Sequence, residues 1–396
     1  MRSLFAAVLA GAVLVACSSG PDSSETSECT VPFDGVAVDT AKELVITDDS
    51  VLHDDRAMNR SDGTWSFRAR MRELAPSGVT PAQATYEWLA SYGRLQRING
   101  FDVAPRTEVN RLVLCPWMKR TPANACNEDC STCAANELDL AESPFRLVAM
   151  ANRTDTALTN SDYAGRAQAR LVYTLVDGAA DDAASKPMRM SVIFEYLQPT
   201  ASSEALPTIA RTWHQLSAFA TFDEPYKAKL AEIMGAITTP GSSPDRPLGN
   251  SIGQVRTNER EFDWQWDMRQ FALRDTGLEL VSPANTPDPT VNDSPELVEF
   301  LNTNAQAILS NKHVLPARLL GGSVGLFTRW VAGTVPSDVL TEFNRNTCNG
   351  CHQNAPTGFN FHIAQGPDGK IVLSDFLLQS AIPQRLKLQN SLLCEP

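Results

Sequence analysis

The chain has 396 residues, 43% hydrophobic and 20% charged, and its 34 Lys and Arg against 46 Asp and Glu give a formal charge of −12. That length suffices for one large core or two domains. An acidic balance argues against a nucleic-acid partner and gives no help in binding anionic lipid.

Arg2 precedes an apolar run over 4–15, a pattern that reads as an export signal over 1–16, too short to span a bilayer as a mature helix. The run ends Leu14-Val15-Ala16-Cys17, followed by Ser18 and Ser19. This resembles a bacterial lipobox, which implies that Cys17 becomes the acylated N-terminus; an ordinary signal peptide with an incidental cysteine is the alternative. Losing Arg2 makes the mature chain one charge more negative, so acyl chains must hold it to the lipid bilayer. Ser18 rather than Asp after Cys17 implies, by resemblance to sorting rules in double-membrane bacteria, an outer-membrane address. Residues 17–30, rich in Ser, Asp and Glu, read as a solvated tether. A body over 31–330 and a C-terminal segment over 331–396 complete the expected organisation.

Within the body, 31–60 is acidic and irregular, with strand-like pieces around Val36 and at 44–47. Ser61 or Asp62 then caps a helix carrying Trp65, Phe67, Met71 and Leu74. Thr80 caps the next and Pro81 opens it; Trp88, Leu89, Tyr92 and Leu95 form its buried stripe, and Gly100 ends it. These aromatics suit a core better than a pocket.

Three strands are expected over 145–152, 169–176 and 190–197. In the last, Met190, Val192, Phe194 and Tyr196 alternate with Ser191, Ile193 and Glu195, so one face is apolar and the other mixed. Helices follow over 206–222, with Ile209, Trp213, Leu216 and Ala220 at helical spacing and His214 just off the stripe, and over 225–237. One or two strands within 251–279 close the sheet. Pro287 and Pro289 mark a linker, and Ser294 with Pro295 starts a helix carrying Leu297, Phe300, Leu301 and Ile308. The expected fold class is α+β, a mainly antiparallel sheet with flanking helices and a C-terminal helical or irregular segment.

Of nine cysteines, Cys17 leaves with lipidation and Cys348 and Cys351 belong to a motif of their own. The remaining Cys29, Cys115, Cys126, Cys130, Cys133 and Cys394 suffice for three disulfides in an oxidising compartment, with connectivity open. Zinc held by the thiols between 115 and 133 is the competing reading.

The chemistry is concentrated in Asn346-Thr347-Cys348-Asn349-Gly350-Cys351-His352. On a helix the two thiols and the imidazole fall at i, i+3 and i+4 and share one face. That arrangement can tie two haem vinyl groups as thioethers while the imidazole takes the iron. Ser337 can cap the preceding helix, Asp338 and Glu342 suit its first turns, and Val339, Leu340 and Phe343 form its apolar stripe. A disulfide between Cys348 and Cys351, or zinc held by them with His362 or His352, stays open.

No methionine follows His352. His362 is the nearest candidate for the second axial position, on an extended piece that would send Phe359 and Phe361 to the opposite face. His53, His214, His313 and the earlier methionines also remain open. Gly321-Gly322-Ser323-Val324-Gly325 matches the G-x-S-x-G turn of hydrolases, with Asp338 and then His352 or His362 in the right order; without a surrounding α/β alternation it reads as a glycine turn.

Residues 348–352 resemble c-type cytochromes, although the small electron carriers place this motif early and a methionine downstream. More of the chain, FRLVAMAN at 145–152, VIFEY at 192–196 and NTCNGCH at 346–352, resembles a group of predicted lipoproteins from predatory and social bacteria with no assigned activity. The resemblance implies an exported, lipid-anchored single unit and adds no chemistry. The expected function is a membrane-tethered monohaem c-type redox protein, carrying haem c and exchanging electrons with a partner protein outside the cytoplasm. A structural or binding lipoprotein without cofactor is the alternative.

Overall fold

A computed structural model of the chain describes residues 32, 34–122, 126–134, 138–158, 166–198, 205–325, 329–353, 361–366 and 368–394. It opens with α1 (Thr40–Glu43), β1 (Val45–Ile46) and α2 (Asp49–Leu52). The first long helix, α3 (Phe67–Leu74), is capped by the Ser66 hydroxyl rather than by Ser61 or Asp62, because Asp62 sits at positive φ in a tight loop. Thr80 does cap α4 (Pro81–Ala90). That helix stops before Leu95, which is 67% exposed, and the chain enters the hairpin of β2 (Gln96–Ile98) and β3 (Phe101–Val103). Asn99 and Gly100 both have positive φ there, as a two-residue hairpin turn requires, so Gly100 turns a hairpin instead of ending a helix.

After α5 (Cys115–Arg120) come β4 (Phe145–Arg153), β5 (Gln168–Val176) and β6 (Pro187–Leu197), then α6 (Leu206–His214) and α7 (Glu224–Thr238). The expected helix over 206–222 is shorter than its apolar spacing suggested, because the chain tightens into a 3-10 turn at Gln215–Ala218. The region 251–279 holds β7 (Ile252–Glu259) and β8 (Asp267–Arg274) and runs into β9 (Gly277–Val281). The end of the chain contributes α8 (Pro295–Thr303), α9 (Ala305–Leu309), β10 (Val324–Gly325), α10 (Ser337–Asn346), α11 (Cys348–Gln353), β11 (Ile363–Gln365), β12 (Ile371–Leu373) and α12 (Ile382–Cys394). Ser294 caps α8, whereas Ser337 is the first residue of α10 and Pro336 holds the cap position.

Eight strands form one antiparallel sheet in the order β1, β4, β5, β6, β7, β8, β10, with β9 also on β8. The fold is thus α+β with flanking helices, as the patterning implied. Leu171, Tyr173, Val192, Phe194, Tyr196, Val255 and Phe271 face the main core. Phe67 of α3 sits at its centre, its ring 4.4 Å from Phe145 and within 6.4 Å of Trp88, Trp117, Tyr173 and Phe194.

The mixed face is covered as well, since Val148, Ala149 and Val172 pack with Ile193, Ile363 and Ile371, the last two from the β11–β12 hairpin. Registers set three rows across this second face. Ala151, Arg170, Glu195 and Gln254 are paired in an ionic row, and Ala149, Val172, Ile193 and Arg256 in a largely apolar one. Thr174, Ser191, Asn258 and Met268 make the third, which is uncharged.

The chain end is tied to its beginning. Gln389 Nε2 on α12 donates to Glu43 Oε2 (2.8 Å) and the Ala210 carbonyl (3.0 Å), while His214 Nδ1 lies 2.9 Å from Glu43 Oε1. Leu392 and Leu393 enter the main core. A smaller apolar cluster joins Leu297, Leu301 and Leu319 to Trp330, Val339 and Phe343, straddling the boundary expected at 330.

Cys115 pairs with Cys130 and Cys126 with Cys133, so the thiols that could have held zinc between 115 and 133 are disulfides. Cys394 is disulfide-bonded too, while Cys17 and Cys29 lie outside the described residues. Val324–Gly325 pairs with β8 at the sheet edge, so the G-x-S-x-G segment is no strand-to-helix elbow. A side chain at Gly322 would strike Ile98 and Val103, which accounts for that glycine. Among the described residues no helix is long and apolar enough to cross a membrane.

Candidate functional site

The motif is held by a short break between two helices. Thr347 is extended between α10 and α11, and its hydroxyl accepts from Gly350 N at 3.3 Å while donating to the Asn344 carbonyl at 3.0 Å. Trp330 Nε1 donates to Thr347 Oγ1 and Asn349 Oδ1, each at 3.1 Å, and Cys348 N donates to Thr286 Oγ1 at 2.8 Å. A Cβ at Gly350 would collide with the Asn344 carbonyl, so α11 can lie this close to α10 only with glycine there. The polar residues around the cysteines thus position the turn.

The turn faces a cavity of about 540 Å³ between the second sheet face and the C-terminal segment, within the range of about 300 to 1,000 Å³ that encloses cofactor-sized ligands. Cys348, Cys351, His352 and His362 all line it. Cys348 and Cys351 are thiols and are not bonded to each other. His352 is buried, with its ring 5.0 Å from Trp266 and 4.4 Å from His362. His362 is oriented by Ser374, whose hydroxyl lies 3.0 Å from Nδ1, while Nε2 is 3.3 Å from Cys351 Sγ. Phe359 lies outside the described residues, so the expected facing of Phe359 against His362 is not described.

Burial sets the protonation here. It pushes the Cys351 thiol up to about 12, with Cys348 adding to the effect and Arg153 and Arg385 opposing it. It also holds His362 well below its ordinary value, helped by His352, Arg385 and Arg153. A neutral imidazole is the form that binds a metal.

Zinc would need three or four donors close together, because its bonds are only about 2.0–2.3 Å long. Among the described residues, the sole group of three such atoms within 4.8 Å of one another is Cys126, Cys130 and Cys133, whose sulfurs are in disulfides.

His53 is exposed, His214 belongs to the Glu43 network, and His313 is packed between Phe300 and Phe343; none lines the cavity. Of the methionines, Met268 does. Sequence reasoning missed Trp266, which packs on His352, and the arginines of the wall, Arg153, Arg170, Arg256, Arg345 and Arg385. For Arg153, Arg170 and Arg256 the available signal was a charged residue on strands whose other face is core; Arg345 and Arg385 sit on helices and carried no such signal. Burial opposes ionisation of Asp155 and Glu195, yet Arg153 and Arg385 hold the first below the usual carboxylate range, as Arg170 and Arg256 do the second. No protein-family model, curated protein or solved structure matches the chain.

Proposed function

We propose that the chain is a membrane-tethered monohaem c-type redox protein working outside the cytoplasm. The observation that carries this reading is the placement of Cys348, Cys351 and His352 on the cavity-facing side of one short helix, beside a space large enough for a cofactor. Bound there, haem c supplies one-electron chemistry.

The protein's own part is positioning. Cys348 and Cys351 offer thiols for two thioether bonds, His352 offers a ring nitrogen from one side, and Trp266 packs against that ring. His362 is the nearest group for the other side. Its ring stands 4.4 Å from that of His352, with the Ser374 hydroxyl beside its Nδ1, so His362 would be the residue to hold the group from that side. Acylation of Cys17 supplies the tether to the outer membrane, and the disulfides support an oxidising compartment. The partner is a second redox protein.

The test is to export the mature chain in a host with haem-attachment machinery, denature it, and look for a haem-stained band with thioether-type absorbance. Retained colour is the expected result. A colourless product whose Cys348 and Cys351 peptides are lighter by two hydrogens than the dithiol would end the redox reading in favour of a cofactor-free lipoprotein.

A further inference from the structure

The cavity wall is graded along the strands. Its ionic and uncharged rows are four residues apart, about 13 Å at strand spacing, with the largely apolar row between them. Cys348 packs at the uncharged end, in the cluster of Trp266, Met268 and Phe361. At the ionic end Arg153 and Arg385 pair with Asp155 at 2.8 and 3.6 Å, and Arg170 with Glu195 at 3.2 Å; Arg256, one row inward, lies 3.9 Å from Glu195.

These four guanidinium side chains are between 9% and 16% exposed. Each has partners inside the protein, so what matters is the charge they bring to one wall. Among the described residues lining this end, four cations face two carboxylates, in a chain that is strongly acidic overall. Buried charge is costly unless countered, and guanidinium forks take carboxylates in pairs of parallel hydrogen bonds. A ligand with two carboxylates at one edge and an apolar body satisfies both ends of the gradient.

We propose that Arg153, Arg170, Arg256 and Arg385 form a dicarboxylate-binding end of this cavity, away from the end where Cys348 packs. The inference deepens the haem reading and rests on it for the source of the anion: a porphyrin carries two propionates at the edge away from its vinyl groups. A free dicarboxylate is the other source of the same chemistry.

The experiment uses the full mature chain with Cys17 replaced by serine, made without haem-attachment machinery so that nothing is covalently bound. Metal-free protoporphyrin IX, its dimethyl ester and succinate are titrated in turn, read by tryptophan fluorescence and, for the two porphyrins, by absorbance. The free diacid is expected to bind at least about tenfold more tightly than the ester, since each hydrogen bond to a charged group is worth about that much or more. Arg385→Gln and Arg153→Gln should each weaken the diacid by about tenfold and leave the ester unchanged. Arg385→Lys keeps the charge if the glutamine variant misfolds, and the contrast between diacid and ester in the unmutated chain needs no variant.

Saturable succinate binding lost in Arg385→Gln, without porphyrin binding, would keep the arginine site and name a free anion as its occupant. Equal affinity for diacid and ester, indifference to the arginine variants, or no binding of any probe would overturn the proposal. A chain that acquires covalent haem but ignores esterification loses this inference alone; one that never acquires haem but binds dianions loses only the haem reading.

Discussion

His362 is where the site is most easily probed, because its neutral ring touches His352, Cys351, Ser374 and Phe376 at once. Replacing it with alanine should change the absorption spectrum of the haem-loaded protein; a spectrum identical to the parent would remove His362 from the iron and leave Met268 as the next cavity-lining donor. Gly350 gives a second handle. Gly350→Ala forces a Cβ into the Asn344 carbonyl, at an overpacking cost of about 1–3 kcal/mol, and should lower the melting temperature and haem yield together. Normal yield and stability would mean that α10 and α11 separate freely. The residues of the site itself were legible because i, i+3, i+4 spacing is a local property. His362 could be named beside His352 only by its nearness in sequence; that His53, His214 and His313 stay out of the cavity depends on contacts between residues far apart in the chain.

At the level of elements, helix α3 and the β4–β6 strands depend on the Phe67 ring, which the apolar pattern identified as core. Phe67→Ala should cost about 3–5 kcal/mol, measured by denaturant unfolding; a loss under about 1 kcal/mol would show that the surrounding rings collapse into the gap. The link between α1, α6 and α12 is electrostatic. Burial works against a charged His214, but its hydrogen bond to Glu43 and the nearby charges of Glu43 and Asp34 outweigh this and raise its pKa above 6.5. A raised folded value stabilises fully below the unfolded pKa and is lost as pH rises through the folded one. The melting temperature should therefore fall as pH rises from about 6.5, and fall less in His214→Gln; parallel curves would rule the link out. Strand positions were legible from alternation and the Thr80 and Ser294 caps from residue type, whereas the start of α3 and the ends of α4 and α6 were not. Leu95 kept the helical spacing, yet the Asn99-Gly100 turn won the chain for a hairpin.

The molecule as a whole is stapled by disulfides, and in the proposed reading Cys17 addresses it to a membrane. Cys17→Ser should move the protein from the detergent phase to the aqueous phase on partitioning, and unchanged partitioning would exclude an acyl anchor. The 15-residue separation of Cys115 and Cys130 predicts a loss of about 3 kcal/mol on opening that bridge, to be checked with Cys115→Ala. The antiparallel architecture was legible because the strands are long and regular. The use of both sheet faces was not, because nothing local marks a polar strand face as the wall of a cavity closed by residues two hundred positions away.

The covering of the second face has a consequence for biogenesis. Floor and roof come from distant parts of the sequence, and the thiols belong to the roof. Until α12 docks against Glu43, the chamber stands open on one side. For the haem proposed above, that order of docking would give a bulky, rigid guest a way in before the chamber is sealed.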